Sequence, residues 1–153
     1  MGLDMYLTRK TYVRQWSHQK PEDQFEVTIT KGGKPYDGIN ISNVTNIEEE
    51  VGYWRKQNQI HRWFVENVQN GIDNCGEYCV SKSELEQLRN ICTEVLNDHS
   101  KADELLPSAS GFFFGNTDYD EWYYDGVENT IEILDKILSE WDTNQDIYYS
   151  SSW

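Results

Sequence analysis

At 153 residues, with a formal net charge of −14 and a sequence pI near 4.4, the chain suits one domain over 1–153 with a real core and has no spare length for a second. Its field repels phosphate backbones, which argues against direct nucleic-acid binding, and no run is apolar for the length of a membrane span. Six Trp, ten Tyr and five Phe offset a low aliphatic content and argue against a disordered acidic chain.

In chain order, Leu3-Asp4-Met5-Tyr6-Leu7-Thr8 alternates apolar and polar residues and predicts a first strand running toward Val13. Phe25 to Thr30 alternates in the same way and ends at the turn signal Lys31-Gly32-Gly33-Lys34-Pro35. Ile39 to Val44 is β-branched, so residues 3–47 are expected to form most of an antiparallel meander. Glu48, Glu49 and Glu50 then precede a helix read over Val51–Val68, where their charge would favour the helix dipole. At helical spacing Ile60, Trp63, Phe64 and Val68 form one stripe of that helix. Trp54, Gln57, His61, Val65 and Val68 form the next, placing His61 at the edge of the buried face.

Asn70-Gly71 and Asn74 to Gly76 mark turns, followed by a short segment Tyr78-Cys79-Val80. Ser81-Lys82-Ser83-Glu84 is a capping box, with Leu85, Leu88, Cys92, Val95 and Leu96 behind it at helical spacing. This second helix ends before Pro107. Ser110 to Asn116, around G-F-F-F-G, suits a buried strand or a tight loop. Thr117 to Asp120 should cap a third helix, with Asp118 the expected cap and Trp122, Tyr123, Val127, Ile131, Leu134, Leu138 and Trp141 on its buried face. Gly126 weakens that helix by about 1 kcal/mol relative to Ala. Ile147-Tyr148-Tyr149 predicts a last strand. The expected fold is α+β: a sheet mainly from the N-terminal third, covered by three helices.

Function is less legible. Cys75, Cys79 and Cys92 are odd in number, and His99 makes no familiar zinc spacing with them, so reduced thiols and no metal or cofactor are expected. The opening M-G-L-D-M-Y lacks the regions of a signal peptide, and Tyr6 stands where myristoylation at Gly2 wants Ser or Thr, which predicts a cytoplasmic protein. No Walker loop, G-x-G-x-x-G, G-x-S-x-G or H-E-x-x-H occurs. Asp118, Asp120 and Glu121 lack the pattern of a calcium loop. The most ligand-like stretch is the first helix: Arg55, Lys56 and Arg62 supply cations beside Tyr53 and Trp54, with Trp122 as a further platform. Arg55 and Lys56 at a helix start would favour a phosphate. His61 is the one candidate general base, although a histidine satisfied at the core edge is the preferred reading.

The opening MGLDMYL, VGYWRK with IHRWFV, GFFFGNTDYDEWY and the closing IYYSSSW together resemble a family of small phage and prophage proteins over nearly the whole chain. The resemblance implies an accessory gene acting inside a bacterial host cell, and it supplies no catalytic or binding residues. Three functions follow as expectations. The first is a counter-defence binder sequestering a small anionic host signal, such as a nucleotide, on Tyr53, Trp54, Arg55, Lys56, His61, Arg62 and Trp122. The second is an acidic inhibitor of a basic host protein: Phe64 to Trp153 holds four Lys or Arg against nineteen Asp or Glu, whereas Met1 to Trp63 holds nine against eight. The third is an enzyme using His61 on a nucleotide-like ligand. Assembly into a homo-oligomer stays open.

Overall fold

The computed structural model describes residues 2–153. Its strands are β1 (Asp4–Tyr12), β2 (Thr30–Lys31), β3 (Lys34–Pro35), β4 (Asn46–Arg55), β5 (Tyr78–Val80) and β6 (Gln145–Ser152). Its helices are α1 (Asn58–Asn67), α2 (Lys82–Asn97), the single turn α3 (Ala102–Leu105) and α4 (Glu121–Ser139). The fold is α+β, as expected. Four strands form an antiparallel sheet in the order β4-β1-β6-β5, and β2 and β3 pair separately as a hairpin.

Alternation along the strands puts one face of the sheet into the core. Met5 stands opposite Trp54 and Ser151, Leu7 opposite Gly52 and Tyr149, and Val80 opposite Ile147. Those side chains meet Ile60 and Phe64 of α1, Leu85, Leu88, Cys92 and Val95 of α2, and Val127, Leu134 and Ile137 of α4. The Phe64 and Tyr149 rings stack at 3.9 Å. The opposite face keeps Tyr6, Lys10 and Tyr148, with the Lys10 ammonium 4.5 Å over the Tyr148 ring.

The helix expected from Val51 is a strand for its first five residues, Val51 to Arg55. Tyr53, Trp54 and Arg55 close β4, and Lys56 turns the chain with φ 55° before α1 begins at Asn58. Burial of Gly52 and Trp54 has period two, yet Trp54, Gln57 and His61 also fit a helical stripe, so the two periods overlap there. Glu48, Glu49 and Glu50 accordingly serve no helix dipole. They lie in β4, where Arg9 Nε bonds Glu49 at 2.9 Å and Lys10 Nζ lies 3.8 Å from Glu48. Arg9 also reaches Glu140 at 3.2 Å, tying the sheet to the end of α4. Asp120, rather than Asp118, caps α4 by accepting from Tyr123 N at 3.1 Å. Trp122 is on the exposed side of that helix, while Tyr123, Val127 and Leu134 are buried as expected.

The segments 25–30 and 39–44 join no main-sheet strand. β4 takes the place beside β1 that a consecutive meander would have given to residues 25–30, and neither segment pairs with the outer edge of β4 or of β5. Thr30 enters the small hairpin, and Ile41–Asn43 is a 3-10 turn. The result is an arm between β1 and β4. Val13 N bonds Thr45 O at 2.9 Å across its root, and no residue from Arg14 to Asn43 is buried.

Candidate functional site

Alternation puts Tyr53 and Arg55 at the end of β4 on the open sheet face, opposite Tyr6 and Asp4, and Lys56 just beyond them takes the left-handed region, which costs a non-glycine residue about 1 kcal/mol. Asp4, opposite Arg55 in register, gathers both: Tyr53 Oη donates to Asp4 Oδ1 at 2.5 Å and Arg55 Nη1 lies 3.5 Å from the same oxygen. That bond from Tyr53 to a carboxylate raises the phenol above its ordinary pKa. Across from them stands Trp122, in the first turn of α4 and 57% exposed. Tyr53, Arg55, Gln57, Trp122, Asp125 and Asn129 line a cleft of about 250 Å³. Gln57 reaches its floor by packing on Gly126, where a Cβ would stand 1.7 Å from Gln57 Oε1. The cleft holds a flat group or one charged head, since drug-sized pockets begin near about 300 Å³.

The other expected site residues go elsewhere. Trp54 is 2% exposed and spends its Nε1 on Thr130 Oγ1 at 2.9 Å, so it is core rather than platform. Arg62 faces away, with Glu66 at 2.7 Å and the Ser108 carbonyl at 3.3 Å. Lys56 lies against Gly2 and Gly115 and makes no ion pair among the described residues. The cations therefore do not converge.

His61 is 1% exposed, deeper than the core edge, and both ring nitrogens are engaged. Nε2 lies 3.0 Å from Asp73 Oδ2 and Nδ1 2.7 Å from Tyr149 Oη. Burial pushes the Tyr149 hydroxyl well above its ordinary pKa, so it donates to Nδ1 while Nε2–H donates to Asp73. Trp153 Nε1 donates to the other Asp73 oxygen at 3.1 Å. The ring thus fastens α1, the following loop, β6 and Trp153 together with no face turned to a substrate. Nearby, Asn58 holds the G-F-F-F-G loop: its Nδ2 donates to the Phe114 and Asn116 carbonyls at 3.0 and 2.8 Å, and Oδ1 accepts from Ala109 N. That loop carries Phe112 94% exposed.

Sequence reasoning missed one feature that was legible. Glu121, Asp125, Glu128 and Glu132 fall at i, i+4, i+7 and i+11 on the exposed side of α4. Asp135 on the same helix and Glu140 just past its end pair with Arg89 and Arg9, but among the described residues the four in the stripe have no cation. Glu121–Asp125 and Glu128–Glu132 are like-charge pairs at i,i+4, each destabilising by about 0.2–0.5 kcal/mol. Asp73, Asn58, Tyr149 and Trp153 were missed because nothing local marks them.

Among the described residues no three His, Cys, Asp or Glu side chains are arranged to hold a metal ion, Cys75 and Cys79 are exposed and Cys92 is buried. No described helix is long and apolar enough to cross a membrane. No protein-family model matches the chain, and neither a curated protein nor a solved structure matches it.

Proposed function

We propose that this protein is a phage-carried accessory that acts inside a bacterial host by binding, and that its target is a basic surface on a host defence protein. The supporting observation is the carboxylate stripe Glu121–Asp125–Glu128–Glu132, without an ion pair among the described residues, which leads to the cleft walled by Tyr53 and Trp122. A helix that keeps two repulsive i,i+4 pairs on its outer side sacrifices some local stability, as sites selected for binding do. An arginine or lysine of the target fits the cleft as an anchor between two exposed aromatic rings, with Asp125 as its counter-charge. The stripe then supplies steering and register.

The test is the double charge reversal Glu128→Lys/Glu132→Lys in a phage infection assay on defence-active cells. Both positions are exposed, so the fold should survive, which far-UV circular dichroism checks. Loss of the phage's advantage is the expected result. Full activity in the folded variant removes the stripe from the site.

A second reading, sequestration of a small anionic planar molecule such as a nucleotide, draws on Arg55 beside Tyr53 and Trp122. Against it stand Asp4 on Arg55 and Asp125 in the wall. Calorimetry with linear and cyclic nucleotides separates the two readings: binding lost in Arg55→Ala and kept in Glu128→Lys/Glu132→Lys supports the nucleotide.

A further inference from the structure

The arm from Arg14 to Asn43 is long for a connection between two neighbouring antiparallel strands, which two residues can join. It holds four cations and four carboxylates and so carries no net charge, in a chain of −14. It also leaves Trp16, Phe25, Tyr36, Ile39 and Ile41 exposed. Single exposed apolar residues are ordinary, but several on one segment with nothing buried beneath them mark a contact surface.

Two parts of the arm are complementary. At its far end β2 and β3 are joined by Gly32 and Gly33, both at positive φ, with nothing within 4 Å of a Cβ built on either. Lys31 and Lys34 flank that turn, and neither has an ion pair among the described residues. Its root forms, with the turn before β6, a cleft of about 710 Å³ lined by Tyr12, Glu22, Asp23, Phe25 and Asp142. Trp16 donates from Nε1 to Tyr12 Oη at 3.0 Å, adding a third ring beside it. Those three carboxylates make no ion pair among the described residues. An acid-lined cleft with aromatic walls takes an ammonium group, and the same chain carries two exposed ammonium groups on a projecting tip.

We propose that two copies of this chain exchange arms, the Lys31–Lys34 tip of each seated in the acidic, aromatic cleft at the arm root of the other. The contact is isologous and closes on itself, so it yields a dimer rather than a filament. A second copy fits better than a foreign basic protein for two reasons. Of the cations without an ion pair among the described residues, Arg14, Lys20, Lys31 and Lys34 lie on the arm, leaving only Lys56 and Lys136 elsewhere. The arm is also neutral, so two strongly acidic bodies can meet on it without crossing their own charge. Covering the five exposed apolar side chains removes roughly 400 Å² from water, about half of what one partner contributes to a stable interface. The rest comes from the arm backbone and the cleft.

Sedimentation equilibrium on the full chain tests this, with Lys31→Glu/Lys34→Glu and Glu22→Lys/Asp23→Lys as variants. None of these residues is buried, so circular dichroism should be unchanged. The wild type is expected to dimerise, and each variant alone to weaken the dimer at least about tenfold, because like charges then face each other. Mixed in equal amounts, the variants should dimerise again, since a glutamate tip meets a lysine cleft and a lysine tip meets an acidic one. A wild type that stays monomeric into the millimolar range overturns the proposal and leaves the cleft to a foreign cation. A dimer unaffected by either variant, or a mixture that stays monomeric, overturns it as well.

Discussion

His61 bonds through both nitrogens while almost fully buried, and the buried Tyr149 hydroxyl would lose its partner without it. Replacing it with alanine opens a cavity beside Phe114 and strands the Tyr149 hydroxyl, so His61→Ala should lose about 2–4 kcal/mol of stability. Urea denaturation measures this, and binding by the fraction still folded should be unchanged. A loss below 0.5 kcal/mol (on the order of a surface substitution) would show that the network contributes little. Cys92 makes a pH prediction. Burial raises its thiol from 9.0 to about 12, and burial also raises Tyr149 and Tyr123. Each group is kept neutral in the folded state and ionises more readily when unfolded. For the thiol that stabilisation is complete below its ordinary value of 9.0 and is lost as pH rises through about 12, approaching about 1.4 kcal/mol per pH unit. For the tyrosines the loss starts only from their ordinary 10.0. The urea midpoint should drop between about pH 8 and about pH 10, and a flat profile contradicts the assignment. In the same samples a thiol reagent should label exposed Cys75 readily and Cys92 only after unfolding.

At the scale of elements, α4 shows how packing reverses a propensity rule. Gly126 sits inside the helix, where alanine would ordinarily add about 1 kcal/mol. Here the added Cβ meets the Gln57 side chain, which itself accepts from Gln59 Nε2 at 2.7 Å. Gly126→Ala should therefore destabilise by at least about 1 kcal/mol, the usual cost of overpacking. In a Gln57→Ala background the same substitution should become neutral or favourable, and a double-mutant cycle on melting data reads that coupling. Helix α2 obeys its local signal throughout: Ser81 Oγ accepts from Glu84 N, and Glu84 Oε2 accepts from Ser81 N at 2.7 Å.

Over the whole molecule, stability and charge lie in different places. The core binds sheet, α1, α2 and α4, while the arm contributes no buried side chain. Replacing 14–44 by Asn-Gly leaves Val13 and Thr45, already bonded, at the ends of a tight hairpin. That shortened chain should keep its fold and melt within about 5 °C of the parent, a shift of roughly 1 kcal/mol. Collapse of the fold would mean that the arm supports the core. Binding to a basic target should survive the deletion and weaken steeply with salt, because the stripe on α4 is exposed and within reach of screening ions.

By itself the sequence determined the α+β class, the helix after Ser81, most of the buried side of α4, the strand at 4–12 and the centre, 147–149, of the last one. Each follows from rules that act over a few residues: period, capping and turn chemistry. Only the tertiary structure decided what those rules leave open. Alternation at Phe25–Thr30 makes those residues fit for a strand without choosing a partner, and it is β4, not that segment, that pairs beside β1. Trp54 and His61 pass from ligand candidates to core because Thr130, Asp73 and Tyr149 lie 76, 12 and 88 residues away along the chain. The cations around Arg55 scatter for the same reason: Asp4 claims Arg55 and the turn at Lys56 points that side chain toward Gly2. Charge and aromaticity are properties of a residue, whereas exposure and pairing belong to its neighbours in space.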